Sequence, residues 1–181
     1  MKLMFASDIH GSLPATERVL ERFAQSGARW LIILGDVLNH GPRNALPEGY
    51  APGKVAERLN SVAERIVAVR GNCDSEVDQM LLRFPMTAPW QQVLSERYRL
   101  FLTHGHLYSP DNLPPLAKGG ILLTGHTHVP ACDVYPDFVY LNPGSVSLPK
   151  DEQRRRGYIL MDDEGAVFRE LDGTEYHRHS F

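Results

Sequence analysis

The chain has 181 residues, 43% hydrophobic and 23% charged, with a formal net charge of −3. At roughly 150 residues per domain this predicts one domain spanning 1–181, with an ordinary globular composition that excludes disordered and fibrous classes. The longest apolar run, Trp30–Leu34, falls far short of the roughly 18 residues of a membrane span, Asp8 interrupts the N-terminus too early for a secretory leader, and two cysteines make no disulfide framework.

Lys2–Ala6 opens the chain as a short apolar run and leads into Ser7-Asp8-Ile9-His10-Gly11. Ser12 then reads as an N-cap, with Pro14 in the first turn and Ala15, Val19, Leu20, Phe23 and Ala24 on one stripe. Gly27 stops this helix. Trp30–Leu34 is the second run and ends in Gly35-Asp36. The segment from Asn39 to Gly53 holds prolines and glycines and is long for a simple connection, which predicts a functional loop. Val55, Ala56, Leu59, Val62 and Ala63 form a second helical stripe. Ile66–Val69 is β-branched and ends in Arg70-Gly71-Asn72. Strand–helix–strand–helix–strand predicts a parallel α/β arrangement.

The second half changes character. Gln92–Leu94 with Tyr98–Leu102, Asp133–Tyr135 with Phe138–Leu141, and Tyr158–Met161 with Ala166–Leu171 read as hairpins. Between them, Leu100–Leu102 ends in Thr103-His104-Gly105-His106, and Ile121–Leu123 in Thr124-Gly125-His126-Thr127-His128. Cys132 reads as core filler, and His177 and His179 as part of a frayed polar tail.

Five apolar runs thus end in Asp, Asn or His. Ligands of open α/β sheets bind at the carboxyl ends of strands, so Asp8, His10, Asp36, Asn72, His104, His126 and His128 should meet on one rim. In extended chain, residues i and i+2 point to one side, which would make Asp8/His10 and His126/His128 two-toothed clamps. Imidazole with carboxylate suits Mn, Fe, Co, Ni or Zn better than Mg or Ca. If Asp36 bridges, seven residues supply four bonds to each of two divalent ions, most simply Mn²⁺, with Zn²⁺, Ni²⁺, Co²⁺ or Fe²⁺ as alternatives. Each motif alone has a plain reading as a cap or a turn; the set in this order does not. Asn39, His40 and Arg43 follow Asp36 closely and are candidate substrate contacts. Asp74, His106 and the backbone of the Asn142–Ser145 turn are candidates to orient the ligands.

Asp8-x-His10, Gly35-Asp36, Gly71-Asn72, His104-Gly-His106 and Gly-His126-Thr-His128, with Asn142-Pro143-Gly144-Ser145, resemble the motifs of the calcineurin-like metallophosphoesterases, notably small prokaryotic phosphodiesterases. The resemblance covers roughly residues 1–148. It implies a four-layer αββα sandwich of two mixed sheets flanked by helices. It also implies one metal on Asp8, His10, Asp36 and His128 and another on Asp36, Asn72, His104 and His126. The expected activity is hydrolysis of small phosphodiesters by a metal-bridging hydroxide, in the cytoplasm. The alternatives are phosphomonoesterase or nuclease activity on the same site, or a non-catalytic scaffold. Many members place histidine directly after the Gly-Asn; here Cys73 stands there, followed by Asp74, and both are candidate catalytic residues. A neutral thiol cannot supply the imidazolium's proton. With no long Lys/Arg run, no extended nucleic-acid surface is expected, and no membrane partner; the sequence leaves a homo-oligomer open.

Overall fold

β1 (Leu3–Ala6) is buried at every residue, as a central strand covered on both faces must be. Its alternation divides the interior. Met4 and Ala6 face a core shared with the helices, whereas Leu3 and Phe5 face a second core. β2 (Trp30–Ile33) repeats the division, with Leu31 and Ile33 on the helix side and Ile32 opposite. The computed structural model describes all residues, 1–181.

α1 (Leu13–Ser26) starts where its cap predicts, with Ser12 Oγ accepting from the Ala15 N–H, and ends at Gly27, φ 71°. α2 (Pro52–Asn60) buries Val55, Ala56 and Leu59. It is shorter than its stripe suggests: Val62 and Ala63 fall in an irregular exit and a single 3₁₀ turn before β3 (Ile66–Ala68). α3 (Glu76–Leu81) was not anticipated, because its only strong signal is the Ser75/Asp78 capping box.

β4 (Trp90–Leu94), β5 (Arg99–Thr103), β6 (Gly120–Leu123), β7 (Pro130–Val134) and β8 (Phe138–Pro143) follow. β9 (Gly157–Met161), β10 (Gly165–Glu170) and β11 (Glu175–Ser180) complete the chain. The strands form two mixed sheets, ordered β11-β10-β9-β1-β2-β3 and β4-β5-β6-β8-β7. Parallel pairing holds β1-β2-β3 in one and β5-β6-β8 in the other, and the three expected hairpins are antiparallel. Leu100, Leu102, Ile121, Leu123 and Leu141 of the second sheet meet Phe5, Ile32, Ile159 and Phe168 of the first in the core between the sheets.

Two details depart from expectation. The outer face of the second sheet, with Phe101, Leu122, Phe138 and Tyr140, is covered by Tyr108 and Leu116 from a loop, not by a helix. The tail with His177 and His179 is not frayed: β11 pairs along β10, with an Arg169–Glu175 ion pair at 3.0 Å and His177 edge-on to Phe168. Polar composition concealed an edge strand, where one face is solvated and charge is expected. Cys132 lies in β7 and packs against the inter-sheet core. No helix is long and apolar enough to cross a membrane.

Candidate metal centre

The segments leaving β1, β2, β3, β5 and β6 lie along the facing rims of the two sheets. They interlock through backbone hydrogen bonds: Asp8 N–H to Gly35 O, His10 N–H to Asp36 O, Gly125 N–H to His104 O and Val146 N–H to Ser7 O. The fit leaves no room for side chains at two glycines. A Cβ at Gly71 would sit 2.1 Å from Asp36 Oδ1, and one at Gly125 would sit 1.8 Å from Ser7 Oγ.

Asp8, His10, Asp36, His126 and His128 all adopt left-handed backbone, φ 50–68°. This overturns the extended-clamp expectation. Asp8 and His10 still converge, with His10 Nε2 3.6 Å from Asp8 Oδ1. His126 and His128 diverge: the His128 ring packs on His10 at 5.0 Å, and the His126 ring on His104 at 5.1 Å. Strain of about 1–3 kcal/mol per residue persists only where neighbours enforce it. Here Ser145 and Ser147 both donate to the Asp8 carbonyl at 2.8 Å, and the His126 N–H donates to Asp8 Oδ2 at 3.0 Å.

The imidazoles are oriented by backbone carbonyls. Nδ1 of His10 donates to Asn39 O, that of His104 to Leu34 O, and that of His128 to Leu148 O, at 2.6–2.8 Å. That orientation turns each Nε2 inward, where its lone pair is available to a metal ion once any proton held there is displaced. Nε2 of His10 and of His128 are then 3.2 Å apart, and Asp8 Oδ1 lies 3.2 Å from the latter. Asp8 Oδ1 is buried with no hydrogen-bond partner. Nε2 of His104 similarly faces Asn72 Oδ1 at 3.1 Å and Asp36 Oδ2 at 3.4 Å. Asp36 Oδ2 is also 3.7 Å from His10 Nε2, between the two groups. Acceptors facing acceptors in a buried pit are stable only around cations. The donor set therefore fits divalent metal, and Asp8/His10/His128 and Asp8/Asp36/His104 are side-chain groups that could hold an ion.

Burial opposes charge on Asp8, yet the facing His10 and His128 rings and the charge of His104 hold its carboxyl well below the usual range. Asp36 is lowered against its burial mainly by His104. Burial likewise opposes charge on His104, but Asp36 and Asp8 lift it to about 9. His126 is lowered by burial and by His104.

A family model described as the calcineurin-like phosphoesterase superfamily domain matches residues 1–165. The chain belongs to that superfamily. It is 75% identical over 150 residues to the phosphodiesterase YfcE of Escherichia coli strain K12, covering 83% of this chain and 82% of that one. The solved structure of YfcE, described as a phosphoesterase from E. coli, matches with a TM-score of 0.96 and 64% identity over 99% of both chains. Vps29 of Entamoeba histolytica shares the fold, with a TM-score of 0.65 and 18% identity over 100% of this chain and 99% of that one.

Within this superfamily member, the residues flanking the ligands differ from expectation in instructive ways. Both oxygens of Asp74 accept backbone N–H groups, from Asp36, Val37 and Gly71 at 2.7–2.8 Å. Asp74 is a buckle between the loops that carry Asp36 and Asn72, in keeping with the orienting role expected of it; burial raises its carboxyl to about 6 despite these bonds. Cys73 does line the cleft, and its N–H donates to Asp36 Oδ1 at 2.8 Å. Burial, then Asp36, pushes its thiol up to about 12, so it stays protonated. His106 is exposed and packs its ring near His104 without hydrogen-bonding a ligand.

Asn39 and Arg43 line the cleft, whose volume is about 820 Å³. His40 does not; its ring packs edge-on against Tyr50. In the Asn142–Ser145 turn the contacts come from side chains rather than backbone, since Asn142 Nδ2 donates to Gly125 O and Ser145 Oγ to Asp8 O. Sequence reasoning missed Ser147 and Lys150, which carry no motif and arrive only through the fold.

Proposed function

We infer that this chain is a phosphodiesterase that hydrolyses small phosphodiesters on two divalent metal ions held by Asp8, His10, Asp36, Asn72, His104, His126 and His128. The observation that carries this is the buried pit of inward-facing lone pairs and two carboxylates, with Asp8 Oδ1 left unpartnered. The name of the YfcE relative supports the diesterase activity.

Bound there, the ions would lower the pKa of water and offset negative charge on the phosphoryl group. The chain's own side chains do the rest. Asp36 Oδ2 faces both His10 and His104, and on this reading its carboxylate would serve both ions. Asp74 and the carbonyls of Asn39, Leu34 and Leu148 fix the ligands in position, so little reorganisation accompanies reaction. Arg43 and Lys150 line the cleft beside the pit and give it a positive edge that suits an anionic substrate. The protonated Cys73 thiol is a poor acid, which favours substrates whose leaving group departs without a proton.

Imidazole, carboxylate and amide donors favour Mn²⁺ over Mg²⁺. Two free cysteines fit a reducing cytoplasm. The test is a panel of a plain aryl diester, an aryl monoester and single-stranded DNA, assayed on metal-stripped protein reloaded with each metal. Diester hydrolysis restored by Mn²⁺ and abolished by chelation is the expected outcome. Full activity in chelator, or hydrolysis of DNA alone, would overturn it.

A further inference from the structure

Six non-glycine residues have left-handed backbone: Asp8, His10, Asp36, His126, His128 and Arg154. Five belong to the metal pit, and Arg154, φ 54°, does not. Such strain marks places where surrounding structure enforces an unfavourable conformation, commonly at functional sites. Arg154 is enforced by a turn. Its N–H donates to Asp151 O at 3.1 Å, the Arg155 N–H donates to the Asp151 carboxylate at 2.9 Å, and its own Nη1 donates to Pro149 O at 2.9 Å.

This turn is fastened to the metal pit. His128 Nδ1 donates to Leu148 O, and the Lys150 N–H donates to His128 O at 3.0 Å. A second cavity of about 560 Å³ opens here, lined by Arg43, Ser147, Lys150, Arg154 and Arg156 among others and by no carboxylate. It shares Arg43, Asn44 and Lys150 with the metal cleft, so the two are neighbours across those side chains. Arg156 is paired with Glu48 at 3.3 Å. Arg43, Lys150 and Arg154 are exposed and form no ion pair. On a chain of net −3, three uncompensated cations surround one carboxylate-free hollow beside the pit.

We propose that this shelf seats a second phosphate of the substrate, so that the preferred diester carries a phosphate monoester on one of its alcohol groups. The diester phosphorus would lie at the pit, and the terminal dianion on Arg43, Lys150 and Arg154. Two guanidinium forks and an ammonium suit a multiply charged tetrahedral oxyanion better than a single carboxylate. The inference rests on the diesterase reading and adds to it the second anion.

The test uses two substrates that differ only there: propyl p-nitrophenyl phosphate and 3-phosphopropyl p-nitrophenyl phosphate, with Mn²⁺-loaded protein. The phosphorylated diester should be favoured in kcat/KM by about tenfold at low salt, and the preference should shrink as NaCl rises from about 50 to about 500 mM. Arg154→Gln should remove most of that preference, and Arg154→Lys should retain part of it. Because Arg154 also braces Pro149, Lys150→Gln provides an independent reading of the same ratio. Calorimetry of propane-1,3-diyl bisphosphate against propyl phosphate gives a readout without turnover, and the bisphosphate should bind about tenfold tighter to wild type than to Arg154→Gln. Equal affinity for the two ligands in wild type, or an equal loss for both in the variants, would overturn the shelf. If neither diester is hydrolysed, the diesterase reading fails, and the calorimetry still decides the shelf.

Discussion

The two facing rims supply different chemistry. The first sheet brings both carboxylates, Asp8 and Asp36, with Asn72 and His10; the second brings three imidazoles, His104, His126 and His128. They are also fixed differently. Asp74 buckles the loops after β2 and β3 through three backbone N–H groups, whereas His104 is held by a carbonyl of the opposite sheet, Leu34 O. One rim carries the carboxylates and is braced from within at Asp36 and across the seam at Asp8; the other carries the imidazoles and is braced across the seam at His104 and from within at His128. A site split in this way is assembled only when the sheets are docked.

The strongest way to break the division is at the residue that faces both metal groups. Asp36→Asn should lower diester turnover by about 10³-fold and reduce the content of both metals, read by elemental analysis after dialysis. Near-normal turnover with two bound ions would refute the joining role. Asp74→Asn attacks only the internal brace. It presents an amide NH₂ to backbone N–H donors, so metal affinity should fall by about 10–100-fold and stability by about 1–3 kcal/mol, read by metal titration and urea melts. An unchanged melt would show the buckle to be dispensable.

Cys73→His sharpens the comparison by adding an imidazole to the carboxylate rim. Turnover of a diester with an alkoxide leaving group should rise severalfold or more, and that of an aryl diester little, because only the former needs a proton. Equal changes on both would return Cys73 to a packing role. The smallest expected effect is at His106→Ala. Its ring touches His104 but hydrogen-bonds no ligand, so kcat/KM should change by less than about threefold, in contrast to an orienting residue.

The sequence made the strand ends legible because a buried apolar run stopping at Gly-Asp or Gly-His is a local signal. The parallel order, the three hairpins and the meeting of the proposed ligands at one pit followed from such signals. The clamp geometry did not, because left-handed backbone at Asp8 and His128 is imposed by Ser145, Ser147 and backbone partners remote in sequence. His40 and Asn39 are adjacent and equally polar, and only the packing of Tyr50 separates the one from the other. β11 was hidden because an edge strand has no need of apolar alternation, and α3 because six residues carry too little periodicity.

The serine pair on the Asp8 carbonyl also bears on when the site comes into being. Every proposed ligand lies between residues 8 and 128, yet the groups that hold Asp8 and His128 in place, Ser145, Ser147 and Leu148 O, come after β8. A nascent chain that has released all seven ligands still lacks the clasp that aims them. Contacts of such long separation form late, so the metal pit should be among the last features to mature, and metal taken up earlier would meet only a loose and poorly selective set of donors.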